Sequence, residues 1–127
     1  CTFVGHFDLV TRFNDTLHVL DETDRRYRMP ALEAMEYLVK EGVPFELNTG
    51  AVSRGRKKAF YPNLFLLKHL REMGGRIFIS SDAHLKEHLT GGFAHAAQLA
   101  ASCGFTHYNI LEHAADGTVV RRDMPLY

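Results

Sequence analysis

Ser80-Ser81-Asp82-Ala83-His84 places a carboxylate and an imidazole two residues apart, directly after an apolar segment. Such a pair can converge on one cation, and zinc, manganese or iron accepts the mixed oxygen and nitrogen set. The same residues also suit a loop aspartate that caps the next helix beside a surface histidine. Gly5-His6-Phe7-Asp8 holds a second candidate, His6, as metal ligand, general base or satisfied core histidine. Asp8 either orients that imidazole from behind or is a solvated loop acid. In Glu46-Leu47-Asn48-Thr49-Gly50, Glu46 lies in an apolar run where a lone carboxylate is costly unless it is bonded. It points into a site or faces solvent, and Asn48 is the better-placed polar group if the strand alternates. Ser53-Arg54-Gly55-Arg56-Lys57-Lys58 is a compact basic cluster. Arg54 can grip a phosphate with two parallel bonds, whereas Arg56, Lys57 and Lys58 read as a solvated loop.

The remaining histidines, His18, His69, His88, His95, His107 and His113, form no constellation. His69 and His95 fall on expected helices, at the surface or its boundary, and Cys103 ends a helix as packing. There is no Gly-rich nucleotide loop and no Gly-x-Ser-x-Gly elbow.

Alternating strands and helices must position these groups. Thr2 to Val10 reads as a strand running into a loop, and the charged stretch Asp21 to Arg28 as exposed. Pro30 suits the first turn of a helix whose apolar positions are Leu32, Met35, Leu38 and Val39, with Gly42 ending it. Val43 to Leu47 is the next strand and Asn48 to Asn63 a loop. Pro62 opens a second helix, with Leu66, Leu67, Leu70 and Met73 inward and Gly74-Gly75 as its stop. Arg76 to Ser80 is a third strand, and Gly92 to Ser102 a helix ended by Gly104. His107 to Leu111 and Thr118 to Arg122 flank Asp116-Gly117, which reads as a hairpin. The alternation predicts an α/β fold with a mainly parallel sheet and a C-terminal hairpin. Sites in such sheets form at the carboxyl ends of the strands. That rule picks out His6, the residues after Glu46, and Asp82 to His84.

The 127 residues suffice for one modest domain. Fifteen basic and fifteen acidic side chains cancel, and no aromatic platform accompanies the basic cluster, so nucleic acid is not expected as a partner. No apolar run reaches the roughly 20 residues needed to cross a bilayer, so no membrane partner is expected. Two cysteines make no disulfide framework, which points to a reducing, cytoplasmic setting. Eight histidines is a high count that fits a metal or acid-base site.

Gly-His-Phe-Asp-Leu-Val, Phe-Glu-Leu-Asn-Thr-Gly-Ala-Val-Ser-Arg-Gly, Tyr-Pro and Gly-Gly-Arg-Ile-Phe-Ile-Ser-Ser-Asp-Ala-His occur here in that order. Order and spacing resemble the histidinol-phosphatases of the polymerase and histidinol phosphatase (PHP) superfamily over essentially the whole chain. The resemblance implies a distorted (β/α)7 barrel with a multinuclear centre of divalent metal ions. It implies hydrolysis of a small phosphorylated substrate, histidinol phosphate, in histidine biosynthesis. Carried over by position, His6 matches the single histidine ligand of the third motif, and Asp82 and His84 the closing Asp-x-His. Arg54 and Arg12 fall where such enzymes hold the substrate phosphate. The family's opening His-x-His motif and its following His and Glu ligands have no counterpart here. Residues 1–127 are therefore expected to form the C-terminal part of a barrel, with little activity alone. The rival expectations are a non-catalytic piece that needs a partner segment or self-associates near Phe3 and Val4, and a sister phosphoesterase of different substrate.

Overall fold

The computed structural model describes all 127 residues. Its elements are α1 (Asn14–Leu17), α2 (Arg25–Lys40), β1 (Phe45–Asn48), α3 (Gly50–Ser53), α4 (Leu64–Glu72), β2 (Ile77–Ser80), α5 (Phe93–Ser102), β3 (His107–His113) and β4 (Val119–Pro125). Short 3-10 turns at Leu9–Thr11 and Lys86–His88 precede α1 and α5. The strands form one open sheet in the order β1-β2-β3-β4. β1, β2 and β3 run parallel, and β4 returns antiparallel to β3. The fold is thus mixed α/β, mostly parallel, with the expected C-terminal hairpin, and the sheet does not close on itself. No helix is long and apolar enough to cross a membrane.

One cluster of buried residues ties helices to sheet: Met35 from α2, Phe45 and Leu47 from β1, Leu66, Leu67 and Leu70 from α4, Ile77 from β2, and Ala96 and Ala100 from α5. All four residues of β1 are buried: Phe45 and Leu47 join the core, while Glu46 and Asn48, alternating with them, are buried on the other face. Truncating Leu47 or Leu67 to Ala removes packing worth about 2–5 kcal/mol.

The helix stops are the most legible feature. α2, α4 and α5 each end with Gly in a left-handed conformation, Gly42, Gly74 and Gly104. In each case the next residue's N–H reaches back to a carbonyl in the last turn: Val43 to Leu38, Gly75 to Leu70, Phe105 to Ala100. This satisfies the orphan carbonyls and turns the chain directly toward a strand.

The helix starts differ from expectation. α2 begins at Arg25, five residues before Pro30, because the Asp24 carboxylate accepts the Arg26 N–H at 2.7 Å and caps the helix. The stretch Asp21 to Arg28 is therefore partly helical, and Tyr27 within it is buried. Pro62 lies outside α4, where Asn63 is the cap, its side-chain oxygen accepting the Leu66 N–H at 3.1 Å. The expected loop 48–63 contains the short helix α3.

The expected strand Thr2 to Val10 contracts to a single parallel bridge, Val4 to Phe45. Pairing stops there because His6 and Asp8 both adopt positive φ, and Leu9–Thr11 coils into a 3-10 turn. Val4 donates its N–H to Pro44 O and accepts from Glu46 N–H. Both of its backbone groups are thereby committed to this chain's own sheet, and Phe3 lies against Phe78.

Candidate functional site

β1 ends at Asn48 and β2 at Ser80, side by side and in register. Val4 extends the same parallel set on the other side of β1, so the chain leaving Val4 emerges at the same end of the sheet. A cleft of about 440 Å³ opens there, and His6, Arg12, Asn48, Arg54, Tyr61, Asp82 and His84 are among its walls.

His6 and Asp82 meet across the cleft although 76 residues separate them, with Nε2 3.2 Å from Oδ2. Both hold left-handed backbone conformations, φ 48 and φ 47. Residues with side chains adopt that region at a cost of order 1 kcal/mol or more, and such strain collects at working sites. The Asn48 side-chain nitrogen lies 3.2 Å from the same His6 nitrogen, and the Asn48 oxygen accepts the Gly50 N–H at 2.9 Å. Behind His6, the buried Glu46 carboxylate accepts its backbone N–H at 2.8 Å.

Arg54 holds the other loop. Its Nη1 donates to the Asp82 carbonyl at 2.7 Å and its Nη2 to the Asp82 carboxylate at 3.2 Å. His84 Nδ1 lies 2.7 Å from the Asp82 carbonyl oxygen, which can only accept, so that ring nitrogen is turned toward the Asp82 backbone. Arg54 lies tight over Gly50: a Cβ there would come within 2.8 Å of Nη1 and 2.5 Å of the Ser81 carbonyl. Desolvation alone would raise the Asp82 pKa, but hydrogen bonds from His6 and Arg54 outweigh it and hold the carboxyl below its ordinary value.

All five residues singled out from the sequence, His6, Arg12, Arg54, Asp82 and His84, line this one cleft. Three of them, His6, Asp82 and Arg54, are in direct contact. Arg12 stands at the rim, its guanidinium over the Phe13 ring at 5.1 Å. The donor types suit a divalent cation, an imidazole nitrogen and a carboxylate oxygen facing one space. No group of three or more His, Cys, Asp or Glu side chains is arranged to hold one. The geometry shows why: Asp82 Oδ2 is shared between His6 and Arg54, and His84 is turned toward the Asp82 backbone.

Other residues take places the sequence left open or misplaced. Glu46 and Asn48, two apart on β1, both reach His6, as strand alternation allows. Arg56 is exposed yet lines the cleft. Lys57 is a correction: instead of facing solvent it is buried, its ammonium 2.8 Å from Thr11 Oγ1 and 4.8 Å above the Tyr61 ring. Asp8 neither orients His6 nor faces bulk water. Its carboxylate accepts from Tyr27 OH at 3.1 Å and Asn63 N–H at 3.2 Å, and its second oxygen is buried without a partner. Burial pushes its pKa up to about 6, against the lowering effects of the Asn63 bond and of Lys57. Apart from the Tyr61 ring, four residues from Lys57, these contacts join segments 19 to 55 positions apart, too far for a local sequence signal to announce them.

No family model matches the chain. It is 31% identical over 122 residues to a protein of Schizosaccharomyces pombe named "Probable histidinol-phosphatase". The match takes in 93% of this chain and 39% of that protein, so the chain spans about two fifths of the relative's length. The motifs quoted above are thus part of a similarity to a histidinol-phosphatase that runs along nearly the whole chain, in a proportion consistent with a C-terminal part.

Proposed function

We propose that this chain is the C-terminal part of a PHP-type, metal-dependent phosphatase, a hydrolase that cleaves the phosphate monoester histidinol phosphate in histidine biosynthesis. The open sheet would then be the closing section of a distorted (β/α)7 barrel. The observation that carries the reading is the meeting of His6 and Asp82, both in strained turns at parallel strand ends, with Arg54 against Asp82. The partial match to the Schizosaccharomyces pombe protein supplies the substrate class.

His6, Asp82 and His84 would hold divalent manganese, zinc or iron together with ligands from elsewhere in the protein. When bound, such ions activate water and offset phosphate charge. Arg54 fixes the Asp82 carboxylate with one edge of its guanidinium and keeps further N–H groups for a phosphate oxygen. Arg12 and Arg56 at the rim attract the dianionic substrate into the cleft. Tyr61, buried beside His6, forms an apolar wall that keeps bulk water off one side.

A second reading, a metal-binding fragment inactive without a partner segment, is favoured by the missing three-ligand group. One assay separates them: phosphate release from histidinol phosphate by residues 1–127 and by the full-length gene product, each with manganese, zinc or iron. Turnover by the full-length product alone supports both the hydrolase and the need for further ligands. Turnover of about 1–10³ s⁻¹ by residues 1–127 would remove that need. Faster release from another monoester would make it a sister phosphoesterase, and no release under any condition would overturn the hydrolase reading.

A further inference from the structure

Glu46 is the acidic residue of a strand buried along its whole length, and it is itself only 4% exposed. A carboxylate there has lost its water and needs compensation from the protein. Both groups that approach it belong to His6: the backbone N–H, 2.8 Å from Oε2, and ring Nδ1, 3.4 Å from the same oxygen. His6 is also one of the few non-glycine residues with positive φ. A side-chain-bearing residue stays in that conformation only when its surroundings fix it. The imidazole's other nitrogen faces Asp82 Oδ2 and the Asn48 amide, each at 3.2 Å. Glu46 therefore lies behind the ring and does not line the cleft, while the ring's working edge points into it.

We propose that Glu46 is a positioning residue. It pins the His6 backbone turn through the N–H, backs the ring at Nδ1, and so aims Nε2 at Asp82. Its kinetic consequence rests on the phosphatase reading, whereas its structural consequence does not.

Two measurements test it. Crystal structures of the parent and of Glu46→Ala, Glu46→Asp and Glu46→Gln report the His6 φ and the distance from Nε2 to Asp82. Gln keeps an oxygen for the N–H, so His6 should stay at positive φ in contact with Asp82. Ala has no acceptor and Asp is one methylene short, so in both His6 should leave that region and release Asp82. Kinetics of the metal-loaded, full-length protein on histidinol phosphate should show kcat falling about tenfold to a hundredfold in Glu46→Ala with KM little changed. Glu46→Gln should restore most of it. His6 remaining in place in Glu46→Ala overturns the proposal; if Ala does not fold, His6 remaining in place in Glu46→Asp does so. A parent with no phosphatase activity would remove the functional reading and leave the structural arm to decide the role of Glu46.

Discussion

The loops that carry His6 and Asp82 arrive at the same point and are held there in opposite ways. The His6 loop is gripped from beneath by the buried carboxylate of Glu46. The Asp82 loop is gripped from across the cleft by the guanidinium of Arg54, partly open to solvent. Each clamp matches the loop it holds: an acceptor for an N–H and an imidazole, a forked donor for a carbonyl and a carboxylate. The His6 loop also rests on Asp8, a half-buried acid with an unpartnered oxygen, while no comparable buried acid lies under the Asp82 loop. Each side leaves one buried polar atom unpartnered, an acid oxygen of Asp8 on one and the Arg54 Nε on the other, but only the His6 side buries a carboxylate whose charged form is disfavoured.

Gly50→Ala should break the Arg54 side most severely. The added Cβ would lie 2.5 Å from the Ser81 backbone oxygen and within 3 Å of both terminal nitrogens of Arg54. Overpacking against backbone should cost about 3 kcal/mol, read from denaturant midpoints. The Asp82 loop should shift while the His6 turn stays.

Arg54→Ala removes the clamp without adding bulk. It takes away two charge-assisted bonds, one of them to an ion-paired carboxylate. On the proposed phosphatase reading, the expected loss in the full-length protein is about 1.5–3 kcal/mol, a tenfold to hundredfold fall in kcat/KM for histidinol phosphate. Unchanged kinetics would remove Arg54 from the site.

Asp8→Asn sharpens the comparison from the other side, with a sign that depends on pH. The folded-state pKa of Asp8, about 6, lies above its ordinary value of 3.8. Folding therefore favours the protonated acid: the stability it contributes is fully present below about pH 4 and lost as pH rises through about 6. Asn keeps an oxygen for Tyr27 and the Asn63 N–H and carries no charge. At pH 8 the variant should be more stable than the parent by about 2 kcal/mol, and at pH 4 nearly equal to it. Parallel stability curves from pH 4 to 8 would show that Asp8 is solvated after all.

Much of this was legible in the sequence because it is local. Gly42, Gly74 and Gly104 end helices by a geometry that involves only the last turn. Asp116-Gly117 turns a hairpin through its own backbone. Asp82 and His84 follow a short apolar strand, and the rule that parallel sheets build sites at strand ends then places them. What was not legible depends on distant partners. Lys57 sits in a basic run and looks solvated, yet Thr11, 46 positions earlier, takes its ammonium inside. The start of α2 was hidden because its first turn is nearly all charged, with Tyr27 the one apolar residue facing inward. Thr2 to Val10 has the composition of a strand, but the backbone of His6 and Asp8 ends the pairing after one bridge.

The left-handed turns at His6 and Asp82 carry a consequence for how this sequence tolerates change. Glycine enters that backbone region freely, and asparagine enters it at least as readily as the aspartate it would replace. A library scored only for folded abundance should therefore favour His6→Gly and Asp82→Asn, or at least forgive them. On the proposed phosphatase reading, the same library in the full-length protein, scored for phosphate release, should reject both. At core positions such as Leu47 the two scores should fall together; at these two they should part, and copies of the gene freed from selection on activity would drift there first.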